Sequence, residues 1–502
     1  MKVRSSLRYD VAIIGAGADG LAAAALLARA KLATLVIERN ERCGGRVTTR
    51  EFHPGFRASP FVDELPPIPA SLHWALDLSR RGAIFLPAPL STALWPDRRS
   101  TIRRSDFGFS PTGRLLKQAA FSVEAVCRRA EIDSEIPARS WPRMLGRKRA
   151  PQPWPGAAWT STSLSQSIGT AVPGADEAAH VCAGALWGRA ADPFLAGTAL
   201  HLLASGRSRT IMGGLERMAD ALTGAANEAG AEIRCGLEAS EIRTAEGRAT
   251  IVVLADGTEI EARAMISTLD LRRSFLSLFK WSELPPLLLN RIRNFRMAGA
   301  TARLLLALDR LPDSLAGLGE ALRGPVHLAP DFETAAQAYA AWCVGLIPEA
   351  PPLTLRVVSV SDPSLAPVGG AVIAVTAGCI PYRLFDGAWT HARREELRMK
   401  ILAQIDEALP GVSSHILGAE LIVPPDIEEQ IGASEGDLAG GELAADQMLD
   451  LRPGLEALGA RTPIRGFYLA GPSTAAGALA TCAAGAIAAA TVLADLKAGR
   501  LR

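Results

Sequence analysis

The feature that most restricts how this chain folds is a glycine pattern near its N-terminus, where residues 15–20 read G-A-G-A-D-G. A short apolar run precedes it, and an alanine- and leucine-rich stretch at residues 18–30 follows. This order predicts a buried strand, a tight turn and a helix. In such a turn Gly15 permits the bend, Gly17 lets backbone approach a pyrophosphate, and Gly20 allows close helix–strand packing.

A second apolar run, residues 33–38, completes a β-α-β unit and ends in Glu38. Seventeen residues separate Gly20 from Glu38. A carboxylate at this place accepts hydrogen bonds from the ribose hydroxyls of an adenosine and disfavours a 2′-phosphate, which argues against NADP. The alternative for Glu38 is a solvated strand end.

A third motif follows at residues 42–48, which read R-C-G-G-R-V-T. The adjacent glycines Gly44 and Gly45 bring the backbone close to another group, and Arg46 is able to pair with a phosphate. The alternative for Arg46 is a solvated surface charge. The three motifs together indicate a dinucleotide-binding α/β unit at the start of the chain.

These motifs resemble those of the two-dinucleotide-binding-domain flavoproteins, the superfamily that holds the amine oxidases and carotenoid desaturases. Later segments are similar to its phytoene-dehydrogenase-like branch, which also includes pyridine nucleotide-disulfide oxidoreductase domain-containing protein 2-like proteins. The similarity covers almost the whole chain and is weakest at residues 85–170. The segments that carry it include EFHPGFRASPF, IMGGLERMADAL, GAEIRCGLEASEI, PPDIEEQIGASEGDLAGGE and RTPIRGFYLAGPST.

The resemblance implies an α/β fold, a Rossmann-like two-dinucleotide-binding-domain FAD fold that is discontinuous in sequence, with a mixed α+β substrate domain. Nucleotide-domain motifs at both chain ends and near residue 239 place the FAD-binding domain at residues 1–75, 205–275 and 440–502. The substrate or cap domain is then expected at residues 76–204 and 276–439.

The resemblance also implies the cofactor, FAD, and its contacts. Ala239 is expected to touch the adenine end through its backbone, while Gly471 and residues 477–481 approach the ribityl chain and the flavin ring. The predicted cofactor-binding residues are Gly15, Gly17, Ala18, Asp19, Gly20, Glu38, Arg39, Gly44, Gly45, Arg46, Val47, Ala239, Gly471, Pro472, Gly477, Leu479, Ala480 and Thr481. We expect FAD to be bound non-covalently, because Cys482 falls in an alanine-rich helical stretch where a thiol packs rather than reacts.

The chain departs from the family in one loop. Where the family usually reads S-T-H-P-G-G-G-V, residues 473–480 read S-T-A-A-G-A-L-A. The His-Pro pair is absent, and Ala478 and Leu479 replace two glycines, which narrows the surroundings of the ring. The sequence assigns no catalytic base; His53 is expected to be structural or solvated.

The leading functional prediction is an FAD-dependent oxidoreductase of the dehydrogenase, desaturase or oxidase type. It would act on a largely apolar small molecule by hydride transfer to flavin N5, with few charged groups in the substrate cavity. A non-catalytic binding or assembly factor, similar to the Rab GDP-dissociation inhibitors, is the alternative. A plain NAD dehydrogenase explains neither the Gly-Gly-Arg motif nor the C-terminal resemblance.

Composition and residue spacing restrict the classes of partner and metal that the chain is expected to bind. The 54 basic and 52 acidic residues give a net charge of +2, so no nucleic-acid partner is predicted. Seven scattered cysteines and seven histidines show no metal-ligand spacing, so no metal is expected. Residues 475–494 carry no charge but are leucine-poor, which favours a buried helix over a membrane span. We predict a cytoplasmic protein; peripheral membrane contact through the Trp- and Pro-rich segment 137–156, a protein partner and a homo-oligomer stay open.

Overall fold

The computed structural model describes residues 7–87, 91–94, 99–102, 209–328, 332–442, 447, 451–453, 455 and 459–501. The segment 137–156 and most of the predicted cap-domain stretch 76–204 lie outside the described residues.

The described residues form two large sheets and one small hairpin. The strands are β1 (Leu7–Ile14), β2 (Thr34–Ile37), β3 (Arg50–His53), β4 (Phe56–Ala58), β5 (Ser91–Leu94), β6 (Arg99–Ile102), β7 (Glu232–Arg234), β8 (Ala239–Ala245), β9 (Arg248–Leu254), β10 (Glu259–Ser267), β11 (Thr301–Leu308), β12 (Val326–Leu328), β13 (Leu353–Val357), β14 (Ala371–Gly378), β15 (Ile416–Ile422) and β16 (Phe467–Leu469).

Helices connect and cover these strands. The α-helices in the described residues are α1 (Ala18–Arg29), α2 (Ala70–Ala75), α3 (Glu216–Ala229), α4 (Pro286–Asn294), α5 (Asp313–Ala316), α6 (Phe332–Cys343), α7 (Val358–Ser361), α8 (His391–Ala408), α9 (Pro424–Ile431), α10 (Ala475–Leu479) and α11 (Ala483–Lys497).

The first sheet is built around β1. Strands β2 and β10 flank it in parallel, β7 extends the sheet beyond β2, and β16 pairs in parallel with the end of β10. Strands β9 and β8 follow β10 in antiparallel order, and the turn between β9 and β10 contains Gly257 at φ +81°, as the Asp256-Gly257 pair predicts. The carboxyl ends of the parallel strands meet at one edge, where open α/β sheets bind their ligands.

Small residues let α1 and α11 approach the first sheet and each other closely. A Cβ atom on Gly20 would lie 2.1 Å from the carbonyl oxygen of Gly15, and one on Gly485 would lie 2.0 Å from that of Asp19. Both helices are alanine-rich; α1 is almost fully buried between its ends, and α11 is fully buried over residues 483–489. The packing role predicted for Gly20 has a direct steric basis.

The uncharged segment 475–494 is not one helix. It forms α10 and most of α11, and the helical conformation is interrupted between them at Cys482, whose φ is +66°. The amide of Thr481 donates to the carbonyl of Pro67 at 3.0 Å instead of continuing a helix. No helix in the described parts of the chain is long and apolar enough to cross a membrane.

The second sheet has the strand order β15-β11-β14-β13-β12-β5-β6, and its first five strands are antiparallel neighbours. One of its faces packs on α8 through Leu397, Ile401 and Ile405. The opposite face packs on Phe56 and Phe61, which belong to the stretch following the glycine motifs. This second face is the one that carries Leu305 and Ala374, and it borders a cavity between the two sheets.

Candidate functional site

A cavity, here called the first cavity, lies along the carboxyl edge of the first sheet. Thirteen of the eighteen predicted cofactor-binding residues line it: Gly15, Gly17, Ala18, Asp19, Glu38, Arg39, Gly44, Gly45, Arg46, Val47, Ala239, Pro472 and Thr481. These residues come from both ends of the chain and from β8. The long-range convergence expected for one cofactor site is therefore present.

The glycine turn leaves room for a ligand where the sequence predicts a phosphate. Gly15 has φ +99°, and a Cβ there would lie 2.3 Å from the Thr268 hydroxyl oxygen. At Gly17, by contrast, a Cβ would meet nothing within 4 Å, so the turn opens into the cavity directly before α1. The first-turn N–H groups of a helix have no intrahelical partners and carry a partial positive charge, which suits an anionic diphosphate.

Glu38 is buried at the end of β2 and does two things at once. Its Oε2 accepts a hydrogen bond from the amide of Ala16 at 2.8 Å, and its Oε1 accepts one from the amide of Asn40 at 2.9 Å. Each carboxylate oxygen has a second lone pair, so ribose hydroxyls are able to bind as well. Glu38 thus shapes the glycine turn in addition to lining the nucleotide end of the cavity.

Asp19 and Arg46 lie near each other at the other end of the turn. The Asp19 Oδ1 accepts a hydrogen bond from the amide of Gly485 at 3.1 Å. Burial raises the pKa of Asp19 to about 6, and the positive charge of Arg46 opposes that rise. Burial in turn lowers the pKa of Arg46, whose Nη1 donates to the carbonyl of Leu438 at 2.9 Å.

Four further predicted residues, Gly20, Gly471, Gly477 and Ala480, do not line the first cavity. The side chain of the fifth, Leu479, lies outside the described part of the chain. The backbone explains two of these glycines. A Cβ on Gly471 would lie 2.5 Å from the carbonyl oxygen of Thr268, and one on Gly477 would lie 2.2 Å from that of Gly471. These two positions stack the C-terminal loop on the end of β10.

Several residues that line the first cavity were not predicted from the sequence, and three of them, Thr268, Asp270 and Arg273, are polar residues from the segment after β10. The Thr268 hydroxyl donates to the carbonyl of Ile14 at 3.0 Å and so joins β10 to the glycine turn. The buried Asp270, whose pKa burial raises, accepts hydrogen bonds from the amides of Arg273 and Ser434. The available signal was positional, because all three lie within six residues after the end of β10 at Ser267.

A second cavity lies between the two sheets. Its apolar lining comprises Phe61, Val62, Leu65, Pro66, Ala298, Ala300, Pro325, Leu438, Ala439 and Ala478. Arg46, Leu65, Asp437 and Leu438 line both cavities, so the second begins where the inner end of the first stops. Burial raises the pKa of Asp437, whose oxygens accept from the amides of Ala298 and Ala439.

The expectation of few charged groups in this cavity was wrong. Asp63, Glu64, Arg303 and Arg356 all line it, because two sheet positions that face the cavity are arginines. The charges are paired: Arg303 holds Asp63 with both Nη atoms, at 2.8 and 2.5 Å, and Arg356 forms an ion pair with Glu64. His53 lines neither cavity and packs on Phe56 in the β3–β4 hairpin.

Two further predictions concern the environment of Cys482 and the absence of a metal site. Cys482 is not inside a helix as expected but caps α11, because of the break at Thr481. Its buried thiol has a pKa raised well above the ordinary value by burial, and its Sγ lies 3.6 Å from the carbonyl oxygen of Ala18. Among the described residues no three His, Cys, Asp or Glu side chains are grouped to hold a metal ion.

Comparisons with known proteins agree with this geometry. The family described as flavin containing amine oxidoreductase matches residues 20–495. The chain is 26% identical over 547 residues to the rat pyridine nucleotide-disulfide oxidoreductase domain-containing protein 2, covering 97% of this chain and 94% of that protein. It is also 26% identical over 264 residues to a 4,4'-diapolycopene oxygenase of Methylomonas sp, covering 52% of this chain and 50% of the relative. The phytoene-dehydrogenase-like resemblance is thereby confirmed.

The fold is shared with solved flavoproteins. A structure of wild-type putrescine oxidase bound to putrescine superposes with a TM-score of 0.62 at 16% sequence identity, covering 98% of this chain and 100% of that one. At this identity the similarity shows the fold alone. It confirms the predicted α/β FAD-binding fold class.

Proposed function

Since the chain belongs to the flavin containing amine oxidoreductase family, we propose that it dehydrogenates a largely apolar small molecule in the second cavity. The chain is an FAD-dependent oxidoreductase, and FAD is its cofactor. When bound, FAD supplies the hydride acceptor at its N5 atom. The substrate class and the hydride transfer are the parts that we propose.

The observation that carries the proposal is the meeting of the two cavities. The glycine turn and Glu38 fit a dinucleotide at one end of the first cavity, and Arg46, Leu65, Asp437 and Leu438 form its inner end. The same four residues open the second cavity, whose lining is mainly apolar. A molecule in the second cavity therefore lies next to whatever occupies the inner end of the first.

The residues of this chain bind and orient rather than react. The α1 N-terminus and the two glycine motifs hold the diphosphate, and Glu38 holds the ribose. At the junction, the buried Asp437 ties the chain before β11 to the loop after α9 through the amides of Ala298 and Ala439. Leu65 and Leu438 give the junction an apolar wall beside Arg46 and Asp437, and an apolar substrate placed there would limit the access of water to the cofactor.

Two observations favour an enzyme over a non-catalytic binding factor. The residues that fit a diphosphate and a ribose line one continuous cavity, and a protein without flavin has no use for them. One relative is named for oxygenating 4,4'-diapolycopene, which agrees with an apolar substrate.

Flavin reduction under anaerobic conditions tests the proposal. A panel of apolar candidate compounds is added to the FAD-loaded protein, and bleaching of the flavin absorption is recorded together with the mass of the product, which should fall by two hydrogens. Ala478 lines only the second cavity. Ala478→Leu should therefore raise KM about tenfold through crowding, with unchanged FAD content.

The exposed Ala340 on α6 provides the matched control, and Ala340→Leu should leave KM unchanged. If the KM for a compound that reduces the flavin is the same in Ala478→Leu and in Ala340→Leu, that compound does not bind in the second cavity. If polar amines reduce the flavin and apolar compounds do not, the proposed substrate class is wrong.

A further inference from the structure

A line of polar side chains crosses the second sheet. His327, Thr354, Thr376 and Arg303 are direct register partners on the adjacent strands β12, β13, β14 and β11. Direct partners share one face of a sheet. We call these four residues the polar row. Thr354, Thr376 and Arg303 line the second cavity, so the row crosses its floor.

The floor carries charges but no net charge. Arg303 is almost fully buried and pairs with Asp63, while the buried Arg356 pairs with Glu64. Two guanidinium groups thus face two carboxylates. Arg46, Asp437 and Glu442 also line the second cavity, and each already contacts another group: the Leu438 carbonyl, the amides of Ala298 and Ala439, and Arg296. A charged substrate group would therefore compete with existing partners and lose its own hydration, which is costly in a mainly apolar cavity.

Thr354 and Thr376 differ in what they can still offer. Burial lowers the pKa of His327 to about 4, so its ring is neutral, and its Nδ1 lies 2.9 Å from the Thr354 Oγ1. The His327 Nδ1 either accepts the Thr354 hydroxyl proton or donates to its oxygen, according to the tautomer of the ring, so the structure defines a free hydroxyl proton only at Thr376.

Thr376 has a different partner, the Nη1 of Arg303. A guanidinium only donates, so the Thr376 oxygen is the acceptor in this bond and its own proton points elsewhere. Among the residues that the structure describes, no group accepts that proton. Thr376 is half-buried and lines the second cavity. The charged donor behind the hydroxyl also strengthens it as a donor.

We propose that the substrate carries a neutral oxygen acceptor, a carbonyl or a hydroxyl, that binds the Thr376 hydroxyl proton while its apolar remainder fills the second cavity. This inference rests on the proposed function and adds a substrate class to it. Thr301, two residues before Arg303 on the same strand, brings a further hydroxyl to the same cavity. A pure hydrocarbon would displace water from Thr376 and leave its proton without an acceptor, which is unfavourable.

Matched eight-carbon ligands test the inference on the FAD-loaded protein. The probes are octane, 2-octanone, 2-octanol, octanoate and octylamine, and their binding is followed by the change in flavin absorption. We expect 2-octanone and 2-octanol to bind about tenfold more tightly than octane, the size of one hydrogen bond in an apolar site. Octanoate and octylamine should bind more weakly than the ketone.

Thr376→Val keeps the shape of the side chain and removes the hydroxyl. It should abolish the preference for 2-octanone, because the ketone loses its hydrogen bond and octane no longer leaves a hydroxyl proton without an acceptor, and Thr376→Ser should restore the preference. Thr250→Val, on β9 and away from both cavities, is the matched control. FAD content and thermal unfolding of each variant report whether it is folded.

The outcomes separate this inference from the proposed function. The inference is wrong if octane binds as tightly as the oxygenated ligands. It is also wrong if Thr376→Val lowers the affinities for octane and for 2-octanone equally. In both cases the proposed apolar substrate site is not affected. Tightest binding of octylamine or octanoate would also overturn the inference. If no ligand, octane included, perturbs the flavin, the apolar second cavity fails as the substrate site and the inference falls with it.

Discussion

Replacing Asp19 by asparagine tests whether a buried negative charge in the glycine turn destabilises this protein at neutral pH. Asp19 is buried where α1 meets α11, and its Oδ1 accepts a hydrogen bond from the Gly485 amide. Asparagine has the same shape and keeps an oxygen for this bond, so the substitution removes mainly the charge.

The magnitude follows from the pKa of Asp19, which burial raises from 3.8 to about 6. The folded state therefore binds the proton more tightly than the unfolded chain, and stability is lost as the pH rises from about 4 through about 6. The full loss is about 3 kcal/mol, from about 1.4 kcal/mol for each pKa unit. Between pH 5 and pH 8 the advantage of Asp19→Asn should grow by about 1.5 kcal/mol.

Urea unfolding of the FAD-loaded protein at pH 5 and at pH 8 measures this difference. Any repulsion between the Asp19 charge and the cofactor diphosphate acts in the same direction, so it enlarges the effect at pH 8. Asp220→Asn on α3, a largely exposed carboxylate in a weak surface pair, should show less than about 0.5 kcal/mol of growth. An advantage of Asp19→Asn that is equal at both pH values, or that shrinks at pH 8, would refute the reasoning.

Three further outcomes are expected for the cofactor. Glu38→Ala should weaken FAD binding about tenfold or more, since it removes a charged acceptor that also holds the Ala16 amide; unchanged flavin absorbance per protein after gel filtration would contradict this. Arg273→Gln should weaken FAD binding about tenfold, because this guanidinium lines the first cavity and donates no hydrogen bond within the described residues. The control is Lys280→Gln, which changes an exposed side chain and should leave flavin retention unchanged. Acid precipitation should leave the yellow colour in the supernatant, because the buried Cys482 thiol contacts backbone and is a weak nucleophile; a coloured pellet would make it the attachment site.

The parts of the fold that could be predicted from the sequence are those that local chemistry determines. The apolar runs and glycines of β1, α1 and β2 lie within thirty residues, and the Asp256-Gly257 turn needs only its own neighbours. The break at Cys482 could not be predicted, since no glycine or proline marks it. It arises because Thr481 bonds to the backbone of Pro66 and Pro67, more than four hundred residues away in sequence.

The same distinction applies to the candidate site. The spacing of the glycine motifs and of Glu38 along the sequence is sufficient to predict a dinucleotide-binding site. The charged floor of the second cavity does not, because Arg303 and Asp63 are 240 residues apart and only the packed sheet brings them together. An arginine in the run TARLLLALD gives no sign of which carboxylate neutralises it. Composition therefore predicts an apolar cavity but misses the neutralised charges within it.

The altered loop at residues 473–480 changes the lining of the second cavity more than the fold. Gly477 is kept, and a Cβ there would lie 2.2 Å from the carbonyl oxygen of Gly471, so no other residue fits. Ala478, where the family usually has glycine, lines the second cavity, where a methyl group has room. Ala475 and Ala476, in place of His-Pro, are buried in α10. The substitutions at residues 475, 476 and 478 thus fall where the backbone tolerates a side chain, and Gly477, which packs on Gly471, stays glycine. This is the pattern expected of a reshaped second cavity beside a conserved cofactor-binding geometry.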